Sequence, residues 1–237
     1  MIKGVIDMEN EIKAVCTNCG GNLVPDQEGK IYRCLFCGVA FGSSILFNKD
    51  AEYKAYKAAM ADEFNEADVW YCCVLMRDPG CAKALRGRIL CAGKWKSLSE
   101  INTEVLMSGV RYESVLDRID EAVEHTHDEE TKEFFTDFRK LMDLLALIMK
   151  KNLEMKPLEG RIDKLKEKRN EVIEDTKEET HYAEKAVNSE LYKADADRSR
   201  LMKSRNSLYD EFKTLRTKLI SVENKLKLDV RPVPASD

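Results

Sequence analysis

The chain has 237 residues, enough for one to three domains, of which 35% are charged and 43% hydrophobic. Its net charge of −4 offers no global attraction to nucleic acid or acidic lipid. The most apolar run, residues 141–149, is interrupted by Asp143 and is far too short to span a bilayer.

The opening MIKGVIDMENEIKAV lacks the apolar core and cleavage site of an export signal, and Met1 and Met8 both read as possible initiators. The expected setting is the reducing cytoplasm. There, paired Cys-x-x-Cys motifs mean metal or redox chemistry rather than disulfides. The eight cysteines are Cys16, Cys19, Cys34, Cys37, Cys72, Cys73, Cys81 and Cys91.

Residues 16–37, CTNCGGNLVPDQEGKIYRCLFC, set two Cys-x-x-Cys pairs facing each other across fourteen residues. Such a turn places two sulfurs on one side of a metal, and a glycine after each pair (Gly20, Gly38) permits the left-handed backbone that closes it. Asn22-Leu23-Val24 and Lys30-Ile31-Tyr32 read as short strands, residues 25–29 as the turn between them, and Val39-Ala40-Phe41 as a third strand. The spacing predicts one structural Zn²⁺ held by Cys16, Cys19, Cys34 and Cys37. Four thiolates leave no open position for catalysis. Through Asn48 this module has four basic residues against five acidic ones, so it carries no basic patch. Tyr32, Phe36 and Phe41 are expected in its core, the alternative being a face that stacks on bases. The arrangement resembles the zinc ribbon, in particular the transcription-factor-B type found at the N-termini of many bacterial proteins. The resemblance implies a small β module over residues 1–48 with those four cysteines as ligands.

Residues 49–156 read as helical. Phe64, Ala67, Tyr71, Val74 and Leu75 recur at three- and four-residue steps, and Asp78-Pro79-Gly80 ends that helix. This stretch resembles the second half of a tetratricopeptide repeat, with Gly87, Leu90, Gly93, Trp95, Leu98 and Ile101 as a second unit. The resemblance implies a groove for a peptide or partner helix; a plain helical domain is the other reading. The spacing of Ser97 and Glu100 predicts a helix to about Ser108, broken by Gly109. Tyr112, Val115, Leu116, Ile119 and Val123 line the next helix. Thr126 and Glu129 form a capping box before Phe134, Phe135, Phe138, Leu141, Met142, Leu145 and Ile148, a face expected in the core. Cys72, Cys73, Cys81 and Cys91 are expected to pack as small hydrophobes. His125 and His127 fall in a polar loop without an orienting partner, and His181 on a solvated face.

From Pro157, suited to a first helical turn, a coiled coil is expected over residues 157–228 with a flexible tail at 229–237. One seam runs Leu158, Ile162, Leu165, Arg169, Val172, Thr176, Glu179, Ala183 and Ala186. A second runs Leu191, Ala194, Arg198, Leu201, Arg205, Leu208, Phe212, Leu215, Leu219, Val222 and Leu226. The two are out of phase. Residues 159–190 hold seven Lys/Arg against ten Asp/Glu, and residues 191–228 ten against five. Opposite charges favour antiparallel pairing, as a hairpin with its tip near Val187-Asn188-Ser189 or as an antiparallel homodimer centred there. The arginines in the seam can snorkel from a thin coil.

The fold class expected is mainly α with a small N-terminal β zinc ribbon. No nucleophile–base pair, phosphate-cradling loop or open metal site is visible. The function expected is a non-enzymatic zinc-binding scaffold with protein partners and no membrane. The alternative is a nucleic-acid-associated regulator using the ribbon and the basic second arm.

Overall fold

The computed structural model describes residues 21–26, 31–42, 48–75, 78–102, 109–174 and 180–234. It is 76% helix and divides into two compact units: Met1–Arg139 with Arg216–Asp237, and Lys140–Leu215. Among the described residues no helix is long and apolar enough to cross a membrane.

The first unit begins with a three-stranded antiparallel sheet in the order β1 (Leu23–Pro25), β2 (Ile31–Cys34), β3 (Ala40–Gly42). Leu23 pairs with Cys34, and Tyr32 with both Pro25 and Phe41. Pro25 has no N–H to donate and sits on edge strand β1, where proline is tolerated.

Three helices follow: α1 (Ala51–Met60), α2 (Phe64–Leu75) and α3 (Ala82–Gly93). Each packs on the next, and α1 also reaches α3. Ala51, Ala55, Ala58 and Ala59 are the buried face of α1, whose small side chains let its neighbours approach closely. The expected helix from Ser97 is instead a single 3-10 turn, Leu98–Glu100. Glu100 reaches back to the Lys96 N–H (2.7 Å) rather than to that of Ser97. The rest of the expected helix, residues 103–108, lies outside the described residues, and Gly109 is the first described residue of helix α4 (Gly109–His125). Val115 and Ile119 are buried as the periodicity predicts.

Helix α5 (Glu129–Glu174) is capped by Asp128, not Thr126. The Asp128 carboxylate accepts from the Thr131 N–H (2.8 Å) and hydroxyl (2.7 Å), and these bonds hold it below its ordinary pKa. Phe134, Phe135 and Phe138 are buried on its first turns. Within the same unit the last turns of α6 (Thr180–Lys225) return beside them. Lys218 pairs with Asp137 (2.6 Å), Lys225 with Glu130, and Arg216 donates to the Ile101 carbonyl (2.6 Å).

The second unit consists of the remaining lengths of α5 and α6. Arg161 lies opposite Glu190 and Arg205 opposite Asn152, so the two arms run antiparallel within one chain. Ile162, Leu165, Val187, Leu191 and Ala194 form their apolar cluster. Two expectations change. Pro157 does not start a helix: α5 runs through it, with Pro157 and Leu153, the residue whose carbonyl loses its donor, both exposed. The tip does not fall at residues 187–189, because α6 is continuous there; residues 175–179, between α5 and α6, lie outside the described residues. Val187 continues the second seam backwards from Leu191, whereas Ala183 and Ala186 are exposed. The change of phase therefore does not fall at residues 187–190.

Candidate metal centre

Cys34 closes β2 and Cys37 lies three residues on, in the turn that leads to β3. The Cys34 N–H donates to the Val39 carbonyl (2.8 Å) and the Gly38 N–H to the Cys34 carbonyl (3.0 Å). Gly38 has φ of +74°, a left-handed conformation that a side chain resists. The turn is thus tied down by its own backbone, with Cys34 buried and Cys37 exposed.

Cys16 and Cys19 lie outside the described residues, but the chain that leaves their motif does not. Gly21, two residues after Cys19, is so close to the second turn that a Cβ there would come within 3.1 Å of Cys34 Sγ and 3.0 Å of Phe36 Cβ. The Leu35 N–H also reaches the Asn22 carbonyl (3.4 Å). Sheet register therefore brings the exit of the first Cys-x-x-Cys motif against the sulfur of the second. Among the described residues of this module only Leu23 and Cys34 are buried. Strands of three and four residues with so small a core are not stable unaided; domains of this kind rely on a metal or disulfides. The donor set suits Zn²⁺, which thiolates bind tetrahedrally.

The aromatic core expected here is only partly present. Tyr32 and Phe41 are half-buried, while Phe36 is 88% and Leu35 73% exposed at the turn between the cysteines.

The remaining cysteines are differently placed. Cys72, Cys73 and Cys91 are buried among the helices of the head. Burial pushes the Cys81 thiol up and the Cys91 thiol far above its ordinary range. Metal binding requires thiolate, so these two are poor ligands. Among the described residues no group of three or more His, Cys, Asp or Glu is arranged to hold a metal; that set excludes Cys16 and Cys19. His125 ends α4, and His127 and His181 are exposed.

The sequence reading missed a buried charge cluster in the head. Arg88, on α3, is 1% exposed. It donates to Asp68 of α2 (3.0 Å) and Glu121 of α4 (2.6 Å), and Arg118 adds a bond to Glu121 (3.0 Å). Burial works against the Arg88 charge, but Cys72, Asp68 and Glu121 outweigh it and hold the guanidinium charged. Apolar periodicity cannot signal such a cluster, because its members stand on three helices.

No protein-family model matches the sequence, and comparison with curated proteins and with solved structures found no match.

Proposed function

We propose that the chain is a non-enzymatic, zinc-binding interaction scaffold. Cys16, Cys19, Cys34 and Cys37 would hold one structural Zn²⁺, α1 to α4 form a partner-binding head, and the paired arms of α5 and α6 serve as a coiled-coil hairpin. The observation that carries this reading is the approach of Gly21 to Cys34 Sγ beside the left-handed Gly38. Gly21, just past the first Cys-x-x-Cys motif, lies against the sulfur of the second, and among the described residues of the module only Leu23 and Cys34 are buried. Metal analysis of the purified chain tests it: one zinc per chain is expected, and none after Cys34→Ser. A metal-free chain with an intact N-terminal sheet refutes it.

The exposed Leu35 and Phe36 give the module an apolar tip, which suits a protein surface. The same Phe36 is the feature that favours the nucleic-acid alternative, by stacking on a base. A gel shift at low salt separates the two. Binding whose affinity falls steeply with salt supports the alternative, and no shift removes it.

A further inference from the structure

Helix α6 ends in a cap that sends the chain back over the head. Lys227 takes a left-handed conformation (φ +55°), its N–H bonds to the Asn224 carbonyl (3.1 Å), and the Leu228 N–H bonds to the Glu223 carbonyl (3.0 Å). This is the two-bond arrangement that ends helices and turns the following residue inward, and Leu228 is buried. The side chain of the same Glu223 is buried and paired with Arg86 of α3. Residues 228–232 then pass across α1 and α3 as a strap, and the Arg231 guanidinium lies over the Tyr56 ring at 5.8 Å. What was expected as a loose tail therefore occupies a groove.

The strap fills that groove incompletely. An open cavity of about 230 Å³ remains beside it, lined by Tyr71, Leu90 and Trp95 and by the charged Glu52, Lys83 and Arg86. That exceeds a void of ~150 Å³ able to take a benzene ring, yet falls short of the ~300 Å³ at which ordinary small-molecule sites begin. It has the dimensions of a place for one large side chain. Gly87 helps to build it: a Cβ there would lie 2.3 Å from the Tyr71 ring, so only glycine lets the ring rest against α3. The strap is also weakly held beyond Leu228, because Val230 is half exposed and Val233 is 83% exposed.

We infer that the groove between α1, α3 and Trp95 is a docking site for an extended, proline-containing segment of a partner protein bearing a large apolar residue and an arginine. The chain's own residues 228–232 are its resting occupant. The strap displays the recognition chemistry: an arginine on Tyr56, a proline-stiffened backbone that binds at low entropic cost, and an apolar side chain facing a recess larger than itself. The inference deepens the scaffold reading and rests on it for the premise that the head holds partners. It uses none of the zinc cysteines, so the zinc test and the one below fail independently.

The test uses the full chain and a fluorescent synthetic peptide of residues 226–234. Wild-type chain should bind it weakly. Leu228→Asp, or the milder Arg231→Ala should Leu228→Asp not fold, loosens the strap and should tighten binding at least tenfold. Adding Tyr56→Ala to either variant should reverse that gain. A peptide with phenylalanine at the Val230 position should bind more tightly than the native one. Trp95 emission, read in a Trp70→Phe background, should shift to the red when the strap is loosened and return when peptide is added. Equal peptide affinity in wild-type and strap-loosened chains overturns the inference, as does affinity indifferent to Tyr56→Ala. A concentration-dependent dimer of wild-type chain abolished by Arg231→Ala also overturns it, since the groove would then belong to the strap of a second copy.

Discussion

The N-terminal sheet and the helical head solve the same problem by opposite means. The sheet has three strands of three or four residues, with Leu23 and Cys34 alone buried among its described residues. The head buries Ala55, Ala67, Tyr71, Leu75, Leu85, Ile89, Leu98, Val115 and Ile119 and still sets a charged Arg88 in its interior. Burying an aliphatic or aromatic side chain is worth ~1.5–3 kcal/mol, so the head has a surplus of apolar stabilisation and the sheet has next to none. On the proposed reading, a Zn²⁺ held by the cysteines would supply the folding energy that the described part of the sheet lacks.

The sharpest way to break this comparison is to remove the proposed Zn²⁺. Structural zinc contributes apparent binding energies of ~10–16 kcal/mol to small domains. Chelation, or Cys34→Ser, should therefore abolish sheet structure while leaving the helical circular dichroism unchanged. Proteolysis should cut residues 21–42 rapidly and spare the head. Equal protease resistance with and without zinc would show that the sheet stands by other means.

The complementary test strikes the head at Arg88. Arg88→Ala leaves Asp68 and Glu121 with Arg118 as their shared cation (3.7 and 3.0 Å); breaking a buried ion pair costs ~3–5 kcal/mol when a charge is left alone. Asp68 and Glu121 each keep about a fifth of their side-chain exposure (22% and 20%), which places the expectation at the lower end. Arg88→Met, apolar and of similar length, should recover little unless Asp68→Asn and Glu121→Gln accompany it. Denaturant unfolding measures both. Loss of zinc in either variant would contradict the independence of sheet and head.

Much of this contrast was legible in the sequence, and the exceptions have a common cause. Period and composition located the aromatic face of α5, the buried face of α4 and the turn from Cys34 to Cys37, because each is carried by side-chain pattern within one element; the turn from Cys16 to Cys19 lies outside the described residues. Helix ends were read from glycine and proline; Asp78-Pro79-Gly80 does follow the end of α2, but other stops fall elsewhere. Asp62, Lys94 and Lys227 adopt left-handed conformations with φ of 65°, 57° and 55°, and each closes a helix with the bonds usually associated with glycine. Gly109 and Pro157, conversely, stand inside helical segments. The tip of the paired arms was misplaced for a related reason. Val187 is buried in phase with Leu191, so the point where a hairpin tip was sought lies within the seam of α6. The strap was invisible because LDVRPVP has the composition of a loose end, and only its meeting with Tyr56 gives it a place.

The paired arms fall between the two extremes and test where stability by packing begins to thin. Toward their far end the described buried cluster is Ile162, Leu165, Val187, Leu191 and Ala194, and Arg169, Arg198 and Arg205 have half-buried stems whose Nε atoms are out of water. Leu191→Ala should cost ~2 kcal/mol, the lower end for a core leucine, because a thin seam relaxes around the loss. Pairing within one chain makes the melting temperature of these arms independent of protein concentration; an antiparallel homodimer would raise it with concentration.

The smallest expected effect has the opposite sign. Lys94 is exposed, and its left-handed conformation costs an L-residue ~1–2 kcal/mol. Glycine there removes that strain and gives back ~0.5–1 kcal/mol in backbone entropy, so Lys94→Gly should stabilise the head by roughly 0.5–1 kcal/mol. The Lys94 N–H bond to the Cys91 carbonyl (3.0 Å) and the Trp95 N–H bond to the Leu90 carbonyl (2.9 Å) are both kept. Because Trp95 packs directly after this turn, its emission should stay unchanged while the denaturation midpoint rises. A fall in the midpoint would mean that the lysine side chain itself holds the turn, and that the head's surplus includes surface contacts as well as core.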